Sequence, residues 1–317
     1  MILTLTPNPS IDRTVVLDGV LARGEVHRVS SVTSQAGGKG VNISRAAVRA
    51  GIPSVAVVPA DQDDPFVIEL LAAGIDCRPV RPADGVRVNL TITEPDGTTT
   101  KLNSPGAEVR PEHLQAMAAA ILARATGADW TVLAGSLPAG ASPDFYADLV
   151  RRLREVGAQV AVDTSDAPLQ ALVAALPESA PDLMKPNGEE LASFTGADPQ
   201  ALETDPAAAA AAAATLVRRG VGAVLATLGA HGAVLVTGDG AWHAMPPPTT
   251  VVSTVGAGDS SLFGYVLGDI RGLPAPERLA LAVAYGSAAA GLPGTTIPQP
   301  SQLRTELVGV TAIGDTP

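Results

Sequence analysis

The chain is short of cysteine, of positive charge and of long apolar runs, and each shortage narrows what it can be. Of 317 residues only Cys77 is a cysteine, which excludes an internal disulfide framework and a cysteine-based zinc cluster within one chain. Cys77 itself reads as a small buried or half-buried apolar residue. His27, His113, His231 and His243 are scattered without the spacing of zinc ligands. Lysine and arginine number 21 against 32 aspartates and glutamates, a net charge of −11. That balance speaks against nucleic acid or an anionic membrane as a partner; phosphates would have to be held by local donors. The opening Met-Ile-Leu-Thr-Leu-Thr-Pro lacks a basic segment and a long apolar stretch. No apolar run reaches spanning length outside alanine-rich stretches that carry helix-end signals. A soluble cytoplasmic protein is expected.

What is present begins with glycine, 32 residues, and proline, 27, which punctuate the chain. Residues 2–6 read as a strand ended by Pro7-Asn8-Pro9. After Ser10 to Thr14, Val15-Val16-Leu17 reads as a short strand, with 26–32 able to pair with it. The spacing predicts a helix over 41–48, stopped by Gly51, then a strand over 54–59 and a helix over 64–73 closed by Gly74. Residues 86–93 alternate cleanly and return over 98–103 through Pro95-Asp96-Gly97, a hairpin. These early strands do not alternate with helices and read as a small antiparallel unit. If Arg87 and Asn89 share a face they can clamp an anion; otherwise they are a solvated hairpin face.

Further on, helices and strands alternate. Helices are expected over 112–125, 144–157 and 168–176, and strands over 130–134, 159–163 and 223–228. Leu183-Met184 runs into a helix start at Lys185-Pro186-Asn187-Gly188. Thr204 or Asp205 caps a helix that holds eight alanines, 207–214, and ends at Gly220. Residues 233–236 and 241–245 form a hairpin, and 278–291 a last apolar helix. Such alternation predicts an α/β fold, a mostly parallel central sheet with helices on both faces. Ligands in such sheets bind beyond the strand carboxyl ends. Ser136, Asp163, Lys185 to Asn187 and Thr227 to Gly229 stand at those ends, as does the turn Gly256-Ala257-Gly258 before Asp259.

That last turn carries the most chemistry. Two glycines before a helix free several N–H groups, and with the helix dipole they make an anion site. Asp259 beside it is a favoured N-cap residue type. Its charge would repel a merely bound phosphate, but it suits a base that deprotonates a group attacking a transferred one. Ser261 stands where a dinucleotide fingerprint needs its third glycine. Gly37-Gly38-Lys39-Gly40 also suggests phosphate, but Gly40 replaces the Ser or Thr of a Walker A loop. Ser260 and Ser261 lack the Gly-x-Ser-x-Gly pattern of a hydrolase nucleophile.

Several motifs in order resemble the ribokinase-like family of carbohydrate kinases over nearly the whole chain. They are Asn8-Pro-Ser-Ile-Asp12, Gly37-Gly-Lys-Gly-Val-Asn42, Gly135-Ser-Leu-Pro138, Lys185-Pro-Asn-x-x-Glu190, Leu228-Gly-x-x-Gly232 and Val255-Gly-Ala-Gly-Asp-Ser260. Within the family the chain is most similar to the phosphosugar branch. Arg23-Gly-Glu-Val26, Arg87-Val-Asn89 and Asn103 before Gly106 are similar to members acting on fructose 1-phosphate. Kinases of tagatose 6-phosphate and fructose 6-phosphate share most other motifs, and Lys101 stands where the latter carry a basic residue. The choice among the three substrates stays open.

The resemblance implies one kinase domain over residues 1–317, with a small β lid formed by about 10–33 and 86–103. It implies ATP and Mg²⁺ as cofactors, with a monovalent cation also compatible. Asp259 would be the catalytic base, with Gly256, Ala257 and Gly258 forming the anion hole. Asp12, Gly38 and Asn42 would bind sugar hydroxyls. Lys39, Arg87, Lys101 and Ser136 would hold or neighbour the sugar's phosphate, with Asn89 and Asn103 on the same side. Lys185, Asn187 and Glu190 would face the triphosphate and Mg²⁺, Glu190 through water. Thr227, Gly229, Gly232 and Thr254 would line the nucleotide. A lid with exposed edges implies a homodimer through it. A sugar-phosphate-binding regulator without catalysis should lack the base or the glycines, and both are intact.

Overall fold

A computed structural model describes residues 1–314. From the N-terminus, β1 (Ile2–Leu5) is followed by β2 (Ser10–Leu17) and β3 (Val29–Gly37), which leave the main body. The chain returns through α1 (Lys39–Arg49), β4 (Ser54–Pro59), α2 (Pro65–Ala72) and β5 (Asp76–Val80). A second excursion is β6 (Arg87–Thr93) and β7 (Thr99–Leu102). Alternation then sets in, with α3 (Pro111–Ala125), β8 (Trp130–Ala134), α4 (Phe145–Glu155), β9 (Val160–Asp163), α5 (Asp166–Ala174) and β10 (Leu183–Met184). After α6 (Gly188–Thr195), α7 (Pro199–Thr204) and α8 (Pro206–Arg218) come β11 (Ala223–Thr227) and the hairpin β12 (Ala233–Thr237) and β13 (Gly240–Met245). Two long helices, α9 (Ala257–Ile270) and α10 (Ala275–Ala290), and an edge strand, β14 (Gly309–Ile313), complete the order.

Ten strands make one sheet, ordered β14-β13-β12-β11-β10-β9-β8-β1-β4-β5. It is parallel from β5 to β11 and antiparallel across β12, β13 and β14. Both faces are covered, so the inner parallel strands β1, β4, β8, β9 and β11 are mostly apolar and buried along their length, while the edge strand β5 is not. Leu3 and Leu5 face the cluster under α3, α4 and α8, while Ile2 faces the cluster under α1, α9 and α10. Helices α9 and α10 approach closely because Gly264 has no side chain. A Cβ there would lie 2.7 Å from the Leu281 carbonyl oxygen. That contact seats α9, and with it the turn that precedes it. Among the described residues no helix is long and apolar enough to cross a membrane.

The small sheet is ordered β3-β2-β6-β7. Its outer joins are antiparallel, but β2 and β6 pair in parallel over Ser10↔Arg87 to Val16↔Thr93. The expectation of a wholly antiparallel unit is corrected here. The path between β2 and β6 passes through the main body, so β6 re-enters in the same direction as β2. Strand β2 also starts at Ser10 rather than Val15, and β3 runs to Gly37. The polar stretch Ser10 to Thr14 is extended because it has a partner on each side, which no local pattern reveals. Strands β5 and β14 and helix α7 are further additions. β5 and β14 are the two edges of the large sheet, and Pro79 in β5 is tolerated there because an edge needs only one set of partners. Asp205, not Thr204, caps α8, accepting from the N–H groups of Ala207 and Ala208. α10 begins at Ala275, three residues before the expected Arg278.

Candidate active site

Between the carboxyl edge of the large sheet and the small sheet lies a cleft of about 1110 Å³. Its floor is the first turn of α9. Gly256 is the N-cap in the left-handed region, φ 79° and ψ −4°, a conformation that strains any residue with a Cβ. The N–H groups of Gly258 and Asp259 belong to the first turn and have no acceptor within the helix. The N–H of Ala257 turns back on the Thr254 oxygen at 3.3 Å.

Asp259 sits in that turn with only 6% of its surface exposed. Asn42, one turn into α1, donates through Nδ2 to Asp259 Oδ2 at 2.8 Å. Burial raises the Asp259 carboxyl, and the nearby charge of Asp163 raises it further. Lys39, the Asn42 hydrogen bond and Lys185 oppose them, and the group stands at about 6. A carboxylate poised near neutrality is what general-base work needs.

Asp163 ends β9 and is fully buried. Lys39 Nζ donates to its Oδ1 at 2.6 Å, and Lys185 Nζ lies 3.2 Å from its Oδ2. Burial works against its charge, but the two ammonium groups prevail and hold its carboxyl below the usual range. Burial likewise pulls on Lys39, yet the carboxylates of Asp163 and Asp259 raise it above the ordinary lysine value. Asp163 belongs to none of the sequence motifs. Its position closing the run Val160-Ala-Val-Asp163 was the only signal for it.

On the lid side, Asp12 Oδ1 accepts from Ser10 Oγ at 2.8 Å and from Asn89 Nδ2 at 3.1 Å. Asp12 and Asn89 are register partners on the parallel β2–β6 join. Arg87, two residues before Asn89, therefore shares its face. Its Nη1 donates to the Ser104 oxygen at 2.7 Å and Nη2 to the Asn8 oxygen at 3.3 Å. Burial lowers the guanidinium, and the Asp12 carboxylate opposes that. Asn8, another residue given no role beforehand, donates through Nδ2 to the Pro105 oxygen and to Ser136 Oγ. It ties the end of the lid hairpin to the loop after β8. Gly38, Lys39, Asn42 and Ser136 line the same cleft. Lys101 and Asn103 do not; both are exposed on or beside β7.

At the other end of the cleft, Asn187 and Glu190 form a reciprocal cap on α6. Asn187 Oδ1 accepts from the Glu190 N–H at 2.8 Å, and Glu190 Oε2 accepts from the Asn187 N–H at 2.9 Å. The motif is thus a helix start and a cleft wall at once. Burial raises the Glu190 carboxyl, opposed by that hydrogen bond and by Lys185. Lys185, Thr227, Gly229, Gly232 and Thr254 complete this wall. Among the described residues no three acidic, histidine or cysteine side chains converge on one point. A donor set of this kind does not hold a bare metal ion. It suits Mg²⁺, which keeps its waters and is carried largely by phosphate oxygens.

The sequence model of the pfkB family of carbohydrate kinases matches residues 6–302. The 1-phosphofructokinase of Rhodobacter capsulatus is 38% identical over 306 residues, covering 95% of this chain and 94% of that protein. The 1-phosphofructokinase of Haloferax volcanii is 36% identical over 301 residues, covering 94% and 93%. Phosphofructokinase-2 from Escherichia coli, solved in complex with substrates and products, has a TM-score of 0.86 at 29% identity over 96% of this chain and 97% of that one. A structure of the same enzyme with potassium scores 0.87 at 28% identity, covering 96% of each chain. An Arabidopsis thaliana ribokinase complexed with ribose and ATP shares the fold, with a TM-score of 0.72 at 20% identity over 96% and 97%.

Proposed function

The chain belongs to the pfkB family of carbohydrate kinases, and from that premise we propose that it transfers the γ-phosphoryl group of ATP to O6 of fructose 1-phosphate, giving fructose 1,6-bisphosphate. The observation that carries the chemistry is Asp259, buried in the first turn of a helix where the N–H groups of Gly258 and Asp259 have no helical acceptor, on the floor of the cleft. The sugar assignment is supported by near full-length identity to 1-phosphofructokinases at 38% and 36%.

In this reading Asp12 and Asn89 bind hydroxyls of the sugar, and Arg87 with Ser136 holds its existing phosphate. Asp259 takes the proton from the attacking hydroxyl. The N–H groups of Gly258 and Asp259 meet the charge that spreads over the transferred oxygens; that of Ala257, expected beside them, is turned to the Thr254 oxygen. Asn187, Glu190 and Lys185 face the triphosphate, and Thr227, Gly229, Gly232 and Thr254 the rest of the nucleotide. Glu190 would hold Mg²⁺ carried in with ATP, and the ion would supply charge neutralisation at the triphosphate. The potassium complex of the E. coli enzyme supports a monovalent cation as a further ligand of this chain. Water competes with the sugar hydroxyl, so the small sheet acts as a lid that excludes it.

A fructofuranose ring has a near two-fold relation between its C1 and C6 arms, so one clamp can hold either phosphate. Lys101, which resembles a basic residue of fructose 6-phosphate kinases, is exposed and outside the cleft, while the other motifs are shared with both 6-phosphate kinases. The test is kcat/KM with Mg-ATP for fructose 1-phosphate, fructose 6-phosphate and tagatose 6-phosphate, side by side. Preference for fructose 1-phosphate is expected. Preference for either 6-phosphate would overturn the substrate while leaving the family intact.

A further inference from the structure

We propose that Asp163 is a positioning residue for the transfer: its buried carboxylate bridges the ammonium groups of Lys39 and Lys185, holds both beside the first turn of α9, and so keeps them off the base Asp259. The inference rests on the kinase reading above and adds a residue that reading does not use.

The geometry is specific. Three elements far apart in sequence meet at one carboxylate: β9 ends on Asp163, Lys185 follows the neighbouring strand β10, and Lys39 opens α1. Oδ1 receives Lys39 at 2.6 Å and Oδ2 lies 3.2 Å from Lys185. That Oδ2 is buried and has no other partner. Lys185 is buried as well, and its ammonium lies against the turn: a Cβ on Gly258 would be 3.2 Å from Nζ. Two cations, Lys185 buried and Lys39 half-buried, with one carboxylate between them leave a net positive charge for arriving phosphates. The cations are also fixed in place before the reaction, so no reorganisation is needed when charge develops.

Without Asp163, the carboxylates left acting on the two ammonium groups would be Asp259 and Glu190. The base would then be held in an ion pair and be a weaker proton acceptor. The polar and charged groups acting on Asp259 are Lys39 and Asn42 from α1, Asp163 from β9 and Lys185 after β10. The charged residues of α10, Glu277 and Arg278, stand in its first turn, and Arg278 packs on Gly268, far along α9. They do not enter the balance.

The experiment compares Asp163→Asn and Lys39→Gln with the wild type, on whichever sugar phosphate the wild type turns over. Asp163→Asn should lower kcat by roughly 10- to 100-fold through misplaced lysines. It should also move the acid limb of the kcat profile down by about one pH unit or more. Lys39→Gln removes a cation instead and should move the limb up. Opposite signs are the signature of charge; a packing defect would not reverse. The same shift is read without substrate by ¹³C NMR titration of the aspartate carboxyls, with the Asp259 signal identified by its loss in Asp259→Asn. A limb that stays put or rises in Asp163→Asn, or that moves the same way in both variants, overturns the proposal. If Asp163→Asn does not fold, Asp163→Glu takes its place: it keeps the charge but displaces it, and should lower kcat while leaving the acid limb near that of the wild type; an unchanged kcat overturns the proposal. No turnover of any sugar phosphate by the wild type would remove the kinase substrate reading, while the NMR titration would still judge Asp163.

Discussion

Asp259→Asn should weaken the enzyme and strengthen the fold. The Asp259 carboxyl is pushed from 3.8 to about 6, a shift of about 2 units, or about 3 kcal/mol at ~1.4 kcal/mol per unit. A raised carboxyl means that the folded chain holds the proton more tightly than the unfolded chain. Ionisation therefore costs stability: the cost is absent below the unfolded value, grows between 3.8 and about 6, and is complete above that. The amide of Asn keeps the shape and can still accept the 2.8 Å hydrogen bond from Asn42. It carries no charge to bury, though its NH₂ must find partners. A net gain of about 1–3 kcal/mol is expected, which for a chain of this size is a rise in Tm of about 2–6 °C. Thermal unfolding of both proteins at about pH 8 and about pH 4 is the assay, with the gain confined to the higher pH. Turnover at saturating substrates should fall by about two to four orders of magnitude. A variant less stable than the wild type at the higher pH, or a gain equal at both, would refute the electrostatic reasoning. Near-normal turnover would remove Asp259 as the base.

Two further outcomes are expected. Arg87→Ala should raise KM for the phosphosugar at least about tenfold, as loss of a charge-assisted contact does, with little change for ATP; equal changes would take Arg87 out of the phosphate clamp. The homodimer proposed through the lid has a stated surface. Arg87 and Asn89 share one face of the small sheet, so Val88, Leu90 and Ile92 lie on the other. Leu102 pairs with Leu90 and is 55% exposed. Sedimentation equilibrium should give a dimer, and Leu102→Glu should weaken it; a monomeric wild type would remove this interface.

Much of the architecture was legible because it is written in local signals. Trp130 to Ala134 is a strand at its expected bounds because five successive apolar residues can be buried only between two covered faces. The Gly256 turn is read from a residue type that suits its left-handed backbone, while the choice of Asp205 over Thr204 as cap is made by the structure. Edge strands were less legible, since β5 mixes charge and proline with little apolar periodicity. The polar half of β2 was invisible for a related reason: it is extended only because β3 and β6 flank it.

The βα alternation, the helix start before Asp259, the helix start at Asn187 and the glycine turn around Lys39 are written in the sequence, because each is settled by a few neighbouring residues. Tertiary structure alone decided how these act on one another. Asn42 reaches Asp259 across 217 residues and Lys39 reaches Asp163 across 124. The parallel join of β2 and β6 sets Asp12 beside Asn89, and the end of β7 leaves Lys101 outside the cleft. A buried carboxylate has its charge state set by what is packed around it, and packing across such separations leaves no trace in the spacing of residues.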